Sequence, residues 1–519
     1  MGAATCDPEP SDRPTPLPGV MASHSSHGRH TGKPAKKTRS KRRHSQRLPA
    51  DDCYVQHTVN DMLFFLPPDP EEIVTVVKRV RKAVCASPPI TTDHGWGSMM
   101  PQEILHRVFQ LVVDSEGAVP TLCRLAQVCR LWHLVTSSPD LWRQVSVSTC
   151  WKIPKKNNPP RLQMKIRKTI EELIKNRLSQ VSDFSLHHWN DHIPFVLQSL
   201  ASFCPLLTAL TLSHCSKVTA DALVSVGESC PHLTSLNLQD SEVDSKAVSR
   251  FLDVRGSSLR CLFLSVSCQT NNILSLLTSG SCPELRVLEV NRGVEMVQVW
   301  AENLQGSCPK LEVLRLLNYT FQLKSRSSQE GPGFCHLQEL CLATSVCSHT
   351  TDADVKRLLR DCTSLRVLDL RGCNRVSPEA ISDLPCMNLE SLYLGMYSFS
   401  SSSVQHHTGF STITRRWRHS LQELDLTGLS FCDSELRESL GILTENGTND
   451  TLKSLVLSGT KVSAATVRDV LSGCRALTHL DLSSCRNVPR GLKHAYRGRE
   501  SVLQCLDMLS SRMQEDSLE

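Results

Sequence analysis

Hydrophobic positions along this chain fall on a comb. In "CPKLEVLRL", residues 308–316, Leu311, Leu314 and Leu316 form an L-x-x-L-x-L pattern. The same pattern stands 26 residues earlier in "CPELRVLEV", then in "SSLRCLFL", "CPHLTSLNL" and "CPLLTALTL". Its first apolar position recurs at Val181, Leu207, Leu233, Leu259, Leu285, Leu311 and Leu337, a constant step of 26 residues. The step then loosens to Leu365, Leu389, Leu421, Leu452 and Leu477. The period-2 part of each unit predicts a short strand with its leucines inward. The stretches that follow, such as "TADALVSVGESC" and "SPEAISDL", predict helices. One such unit cannot bury both its strand and its helix, whereas stacked neighbours can.

A step of 26 lies within the 20–29 residues of leucine-rich repeats. The predicted fold class is therefore α/β, a leucine-rich-repeat solenoid (horseshoe) over residues 179–487 with parallel strands on its concave side. Cys215, Cys373 and Cys485 complete a longer L-x-x-L-x-L-x-x-C form, and their short side chains are expected to turn inward near backbone groups that need covering. The "CP" before many strands fits a helix stopped by Pro with Cys packed just before it. The two longer steps are expected to carry insertions before Leu421 and Leu452, the serine-rich one an exposed loop. Residues 488–519, with "PRGLKHAYRGRESVLQCLDMLSSR", are expected to cap the open core with a final helix.

Ahead of the repeats, residues 1–50 are rich in Pro, Ser, His and basic residues and are expected to be disordered. Residues 51–94 are read as partly structured, with helical spacing in "EEIVTVVKRVRKAV". A small helical unit is predicted over 95–148. Pro101 and Glu103 suit a helix start, and Ile104, Leu105, Val108, Phe109 and Val112 recur at helical spacing. Leu122, Leu125, Val128, Cys129 and Trp132 mark a second helix, and Trp142 follows "SSPDL". This unit is too short to hide all these groups alone. Residues 149–178 are read as a helical linker.

Composition changes this picture little. The 519 residues are 40% hydrophobic and 5% aromatic, with a formal net charge of +6. The excess sits in "KPAKKTRSKRRHSQR" at 33–47, where Lys36, Lys37, Lys41, Arg42 and Arg43 are candidate nuclear-targeting residues. No apolar run is long enough to span a membrane, and no secretory signal is evident. The 23 cysteines, an odd number, include no C-x-x-C pair; free, mostly buried thiols in a reducing compartment are expected. An intracellular location in nucleus and cytoplasm follows. Phosphate-binding, acyl-transfer and zinc-hydrolase motifs are missing, so no catalytic residue, metal or cofactor is assigned.

The block at 100–145 resembles an F-box: "MPQEIL", "VF", "VCRLW" and "LW" stand where that motif has L-P-x-E-I-L, I-F, V-C-R-x-W and L-W. Met100 replaces the usual first Leu, and the link "VVDSEGAVPTLCRL" is longer than usual. An F-box followed by leucine-rich repeats resembles the F-box/LRR family of ubiquitin-ligase substrate receptors. That resemblance implies a non-catalytic adaptor whose partners are Skp1 and, through Skp1, a cullin and a RING subunit, with an unknown protein substrate. By position it implies a Skp1 surface formed or supported by Met100, Pro101, Ile104, Leu105, Phe109, Val128, Cys129, Trp132, Leu141 and Trp142. The alternative for the tryptophans is that they are core of the helical unit. The alternative for the whole chain is a nuclear scaffold or nucleic-acid-associated protein using the basic segment, which leaves the 100–145 block unexplained.

Substrate capture is expected on the concave strand face. The residue between the last two apolar positions points outward, which gives Phe263, Glu289, Arg315, Asp369, Tyr393 and Asp425, with Arg371 just beyond. Mixed charges and two aromatics suit a protein surface better than a uniformly charged polymer. On that reading, removing Arg315 and Arg371 leaves folding intact.

Overall fold

The computed structural model describes residues 100–147, 160–265, 270–291, 296–318, 320–324, 333–345, 348–396, 409–445 and 447–515. The basic segment, residues 51–94 and the serine-rich loop fall outside the described residues, and so do Lys36, Lys37, Lys41, Arg42 and Arg43.

The comb becomes one sheet. After three helices, α1 (Gln102–Glu116), α2 (Thr121–Leu125) and α3 (Arg130–Thr136), come strands β1 (Gln144–Val147), β2 (Asp183–His187), β3 (Ala209–Ser213), β4 (Ser235–Leu238), β5 (Cys261–Ser265) and β6 (Val287–Asn291). The run continues through β8 (Val313–Leu317), β10 (Glu339–Cys341), β11 (Val367–Asp369), β12 (Ser391–Tyr393), β13 (Glu423–Asp425), β14 (Ser454–Val456) and β15 (His479–Asp481). Each pairs in parallel with its predecessor, and the register repeats the sequence step: Leu210 faces Leu236, Leu262 faces Leu288, and Leu288 faces Leu314. These leucines line up on the inner side, each at most 1% exposed. Helices on the other side bury their own apolar stripe against them, as with Leu223 and Val226 or Phe251 and Leu252. Stacking thus closes the core that no single unit could close.

Cysteines hold the joints. Cys204, Cys230 and Cys474 are C-caps of their helices, each backbone N–H bonded four residues back at 2.8–2.9 Å, and all three are fully buried. The strand-end thiols point inward as expected: Cys215, Cys373 and Cys485 donate to the carbonyls of Leu186, Leu342 and Leu457 one rung back, at 3.6, 3.5 and 3.1 Å. Gly372, at φ +82°, makes the turn after β11 possible, since a Cβ there would lie 2.0 Å from the Thr344 carbonyl oxygen.

Several boundaries differ from the sequence reading. Residues 160–177 are no linker: helix α4 (Pro160–Arg177) buries Ile166, Ile170 and Ile174 and is the outer helix between β1 and β2. The long steps before Leu421 and Leu452 each hold an ordinary rung helix, Phe410–Trp417 and Asp433–Gly441, the second extended by a 3₁₀ turn at Ile442–Thr444. Trp417 is fully buried and its Nε1 donates to the Cys386 carbonyl at 3.1 Å, so the segment at Phe410–Trp417 belongs to the core. After β6 and β8 the chain adds short strands, β7 (Met296–Trp300) and β9 (Thr320–Lys324), which pair in parallel as a separate two-stranded sheet, and β7 runs on into a helix, Ala301–Ser307. The C-terminal cap holds the expected helix, Arg499–Glu515, preceded by an antiparallel strand, β16 (Ala495–Arg497), whose Tyr496 is fully buried.

Candidate functional site

Two surfaces concern partners: the helical unit before the repeats and the strand face of the sheet. In the helical unit, α1 carries more apolar residues than one core face uses. Leu105 and Phe109, four residues apart, turn inward with Leu122, Val135, Leu141 and Trp142, each 0–6% exposed. Phe109 meets Trp132 edge-to-face, with ring centroids 5.0 Å apart. Trp142 donates its indole N–H to the Thr136 carbonyl at 2.7 Å, tying the 3₁₀ turn Pro139–Trp142 to the end of α3.

The ten residues expected to form or support a partner surface therefore divide. Leu105, Phe109, Leu141 and Trp142 belong to the packed interior, because a unit of three short helices spends its largest side chains on its own core. Met100, Cys129 and Trp132 are half-buried, while Pro101, Ile104 and Val128 are exposed. Sequence reasoning had missed Leu111 and Leu134, and had placed Val108 in the apolar helix without assigning it to the surface. Ile104, Val108 and Leu111 are 54%, 42% and 54% exposed and follow i, i+4, i+7 spacing, one stripe along α1. Val128 and Leu134, elsewhere in the unit, are 60% and 58% exposed. The signal that could have found this stripe is a second apolar face, next to the Leu105/Phe109 one, on a helix too short to need both. The unit leads straight into the sheet: β1 pairs with β2, and Trp189 Nε1 donates to the Val147 carbonyl at 3.1 Å.

On the strand face, register brings the predicted Phe263, Glu289, Arg315, Asp369, Tyr393 and Asp425 into one column, with Cys341, which was not predicted, standing between Arg315 and Asp369. They mostly bind one another. Arg315 donates to Glu289 at 2.9 Å and, with a two-pronged fork, to Glu339 at 2.6 and 2.9 Å. These bonds to Glu339 first, then Glu289, outweigh burial and raise its pKa above the usual guanidinium range. Gln239 joins Glu289 at 2.5 Å.

Asp369 and Asp425 are only 4% and 8% exposed, which corrects their assignment to an open binding face. Asp369 receives the Arg371 fork at 2.9 and 2.6 Å, the Arg371 backbone N–H at 3.1 Å and the Cys341 thiol at 3.2 Å. Asp425 receives the Thr427 N–H and hydroxyl at 2.9 and 2.6 Å. Asp481 repeats the motif with the Ser483 N–H at 2.8 Å. Short acids here fold the turn that leaves each strand. Arg371 also lies over the Tyr393 ring at 5.2 Å, and Tyr393 donates to Glu423. Burial first, then that bond, push the Tyr393 phenol up to about 12. Removing Arg315 and Arg371 would strip partners from acids of limited exposure, so the pair of changes is no neutral probe of a surface. Phe263 stands half-buried in the same column. Among the described residues, no cluster of His, Cys, Asp and Glu could hold a metal ion.

Comparison with known proteins agrees with these two parts. The family described as F-box-like matches residues 98–148, and the family described as Leucine Rich repeat matches 229–252 and 361–384. F-box/LRR-repeat protein 4 of Bos taurus is 25% identical over 350 residues, covering 67% of this chain and 45% of that protein. The chain thus spans less than half of that relative's length. Among solved structures, one titled "Crystal structure of Rad7 and Elc1 complex in yeast" matches 86% of this chain and 91% of its own at 18% identity, with a TM-score of 0.39. The chain carries an F-box-like helical region followed by leucine-rich repeats.

Proposed function

We propose that this protein is the substrate-recognition subunit of an SCF-type ubiquitin ligase, a non-catalytic adaptor. Its helical unit binds Skp1, which joins it to a cullin and a RING subunit, and its repeats hold the protein to be ubiquitinated. Within the F-box/LRR proteins, "GFCHLQELCLA", "LRVLDLRGC" and "PRGLKHAYRG" look most like F-box/LRR-repeat protein 6.

The observation that carries this reading is the outward stripe of Ile104, Val108 and Leu111. Its unit already has a filled core, so these side chains serve no internal packing, and exposed apolar stripes mark contact sites. Parallel strand pairing from β1 onward makes the stripe and the repeats parts of one continuous body, as an adaptor needs.

The test is co-purification of the full chain with Skp1 and cullin, beside an Ile104→Asp/Leu111→Asp variant. Both positions are more than half exposed, so the variant is expected to melt like the wild type yet lose Skp1. Failure of the wild type to bring down Skp1 overturns the proposal. Trp142→Ala would not discriminate, since it removes a core side chain.

A further inference from the structure

The last rung carries a charge pattern unlike those before it. From 475 to 499 the sequence holds six Lys or Arg, at Arg475, Arg486, Arg490, Lys493, Arg497 and Arg499, against one carboxylate, Asp481. Asp481 is engaged by the Ser483 N–H, and Arg499 by the carbonyls of Cys474 and Leu477. The other five cations are exposed, as are His494 and Lys461.

Elsewhere on the solenoid, several exposed cations pair with an acid on an adjacent rung, Lys217 with Asp191, Arg250 with Asp221, Lys310 with Glu284 and Lys356 with Asp383, while Lys246, Arg260 and Arg375 pair with none among the described residues. A rung-to-rung pair needs a facing acid, and the cap acids Glu500 and Asp507 lie on its final helix and pair with none of these cations. Among the described residues, Lys461, Arg475, Arg486, Lys493 and Arg497 pair with no carboxylate.

The cap also brings these cations together. Asn487 Nδ2 donates to the Lys461 carbonyl at 2.9 Å, setting Arg486 close to Lys461 across two rungs. β16 runs back across the sheet, with Ala495 beside Asp481 and Arg497 beside His479. Arg497 therefore joins the strand face, while Lys493 stands just before the strand with its ammonium 6.0 Å from the Tyr496 ring centroid.

We infer that this C-terminal cap is a docking site for a short acidic segment of the captured protein, a deepening that rests on the substrate-receptor reading above. Carboxylate or phosphate groups on such a segment supply the missing partners. A nucleic acid fits less well. A phosphodiester chain continuing along the strand face would meet Glu423 and Asp481, whereas a peptide need be acidic only where it crosses the cap.

The test uses the full chain and fluorescein-labelled hexaglutamate, the same peptide with two phosphoserines, and a 20-nucleotide single strand. One variant carries Arg486→Glu, Lys493→Glu and Arg497→Glu; a control carries Lys217→Glu, Arg250→Glu and Lys356→Glu. The inference expects at least one peptide to bind and the cap variant to weaken it tenfold or more, with the control within twofold of wild type. Comparing the two peptides decides between carboxylate and phosphate. No peptide binding by the wild type, equal loss in both variants, or tighter binding of the nucleic acid would each overturn it. A Gln version of the cap variant, with its melting temperature, covers misfolding. Skp1 co-purification does not involve the cap, so it separates failure here from failure of the adaptor reading.

Discussion

Asp369 stands at a position that strand alternation marks as outward, yet it is almost wholly buried. Alternation tells which side of the sheet a residue leaves from, not what reaches over it, and here Arg371 and Cys341 reach over. The ion pair is consequently unlike the open ones of the helical layer. Arg371→Ala leaves a buried carboxylate with only a backbone N–H and a thiol, and is expected to cost about 2–3 kcal/mol, less than a fully sequestered pair because solvent reaches the guanidinium. Arg250→Ala, whose partner Asp221 is 87% exposed, is expected to cost under about 1 kcal/mol. Urea midpoints compare the two, and equal effects would refute this account of Asp369. Leu314→Ala, at a residue 1% exposed, should cost roughly 2–5 kcal/mol by the cavity it leaves. An unchanged melting curve would mean that the inner column is wrongly assigned.

Among elements, the rung helices are tied at their starts. Asp433 Oδ1 accepts the Ser463 N–H at 2.7 Å and the Thr466 hydroxyl at 3.0 Å on the next rung, while the Ser463 hydroxyl caps its own helix. Asp352 does the same for Ser377, at 2.6 and 2.9 Å. Burial pushes the Asp433 pKa up, but the Ser463 and Thr466 bonds and Arg437 outweigh it and hold the carboxyl below its usual 3.8. Its stabilisation is thus present above that value and fades as pH falls through the lower folded one. Asp433→Ala should cost about 1–3 kcal/mol at pH 7, and the gap to wild type should narrow in acid melts below pH 4. A gap of constant size would argue against these hooks. Such ties span about 30 residues, so sequence periodicity shows the rungs and not their fastenings. It also counts residues rather than elements, which is why the longer steps before Leu421 and Leu452 read as insertions, and why β7 and β9 read as nothing. In the F-box-like unit, likewise, motif positions were legible. Which of them face outward depended on helix packing, which put Trp142 inside and Leu111 out.

Across the whole molecule, the solenoid repeats one thiol environment along its length. Burial pushes Cys204, Cys282, Cys386 and Cys474 up to about 12, and Cys230, Cys308, Cys362 and Cys373 up to about 11. An unfolded chain releases these protons near the ordinary value of 9.0, whereas the folded chain keeps them. Above that pH the unfolded state binds fewer protons, so the slope of stability against pH is negative. Stability is fully present below about pH 9 and is lost as pH rises toward 11–12. Each thiol contributes up to about 1.4 kcal/mol per pH unit across that window, and the terms add over distant rungs. Melting under reductant should therefore stay flat from pH 7 to 8.5 and drop steeply from 9 to 10.5. Lysines and tyrosines also titrate there, so the deciding measurement is a Cys308→Ala/Cys474→Ala variant. Its cavities lower the neutral melting temperature, yet its alkaline slope should be shallower than that of the wild type, because two of the coupled protons are gone. Parallel slopes would show that the buried cysteines do not govern the alkaline limit, and that their place at the joints of the rungs is a matter of size alone.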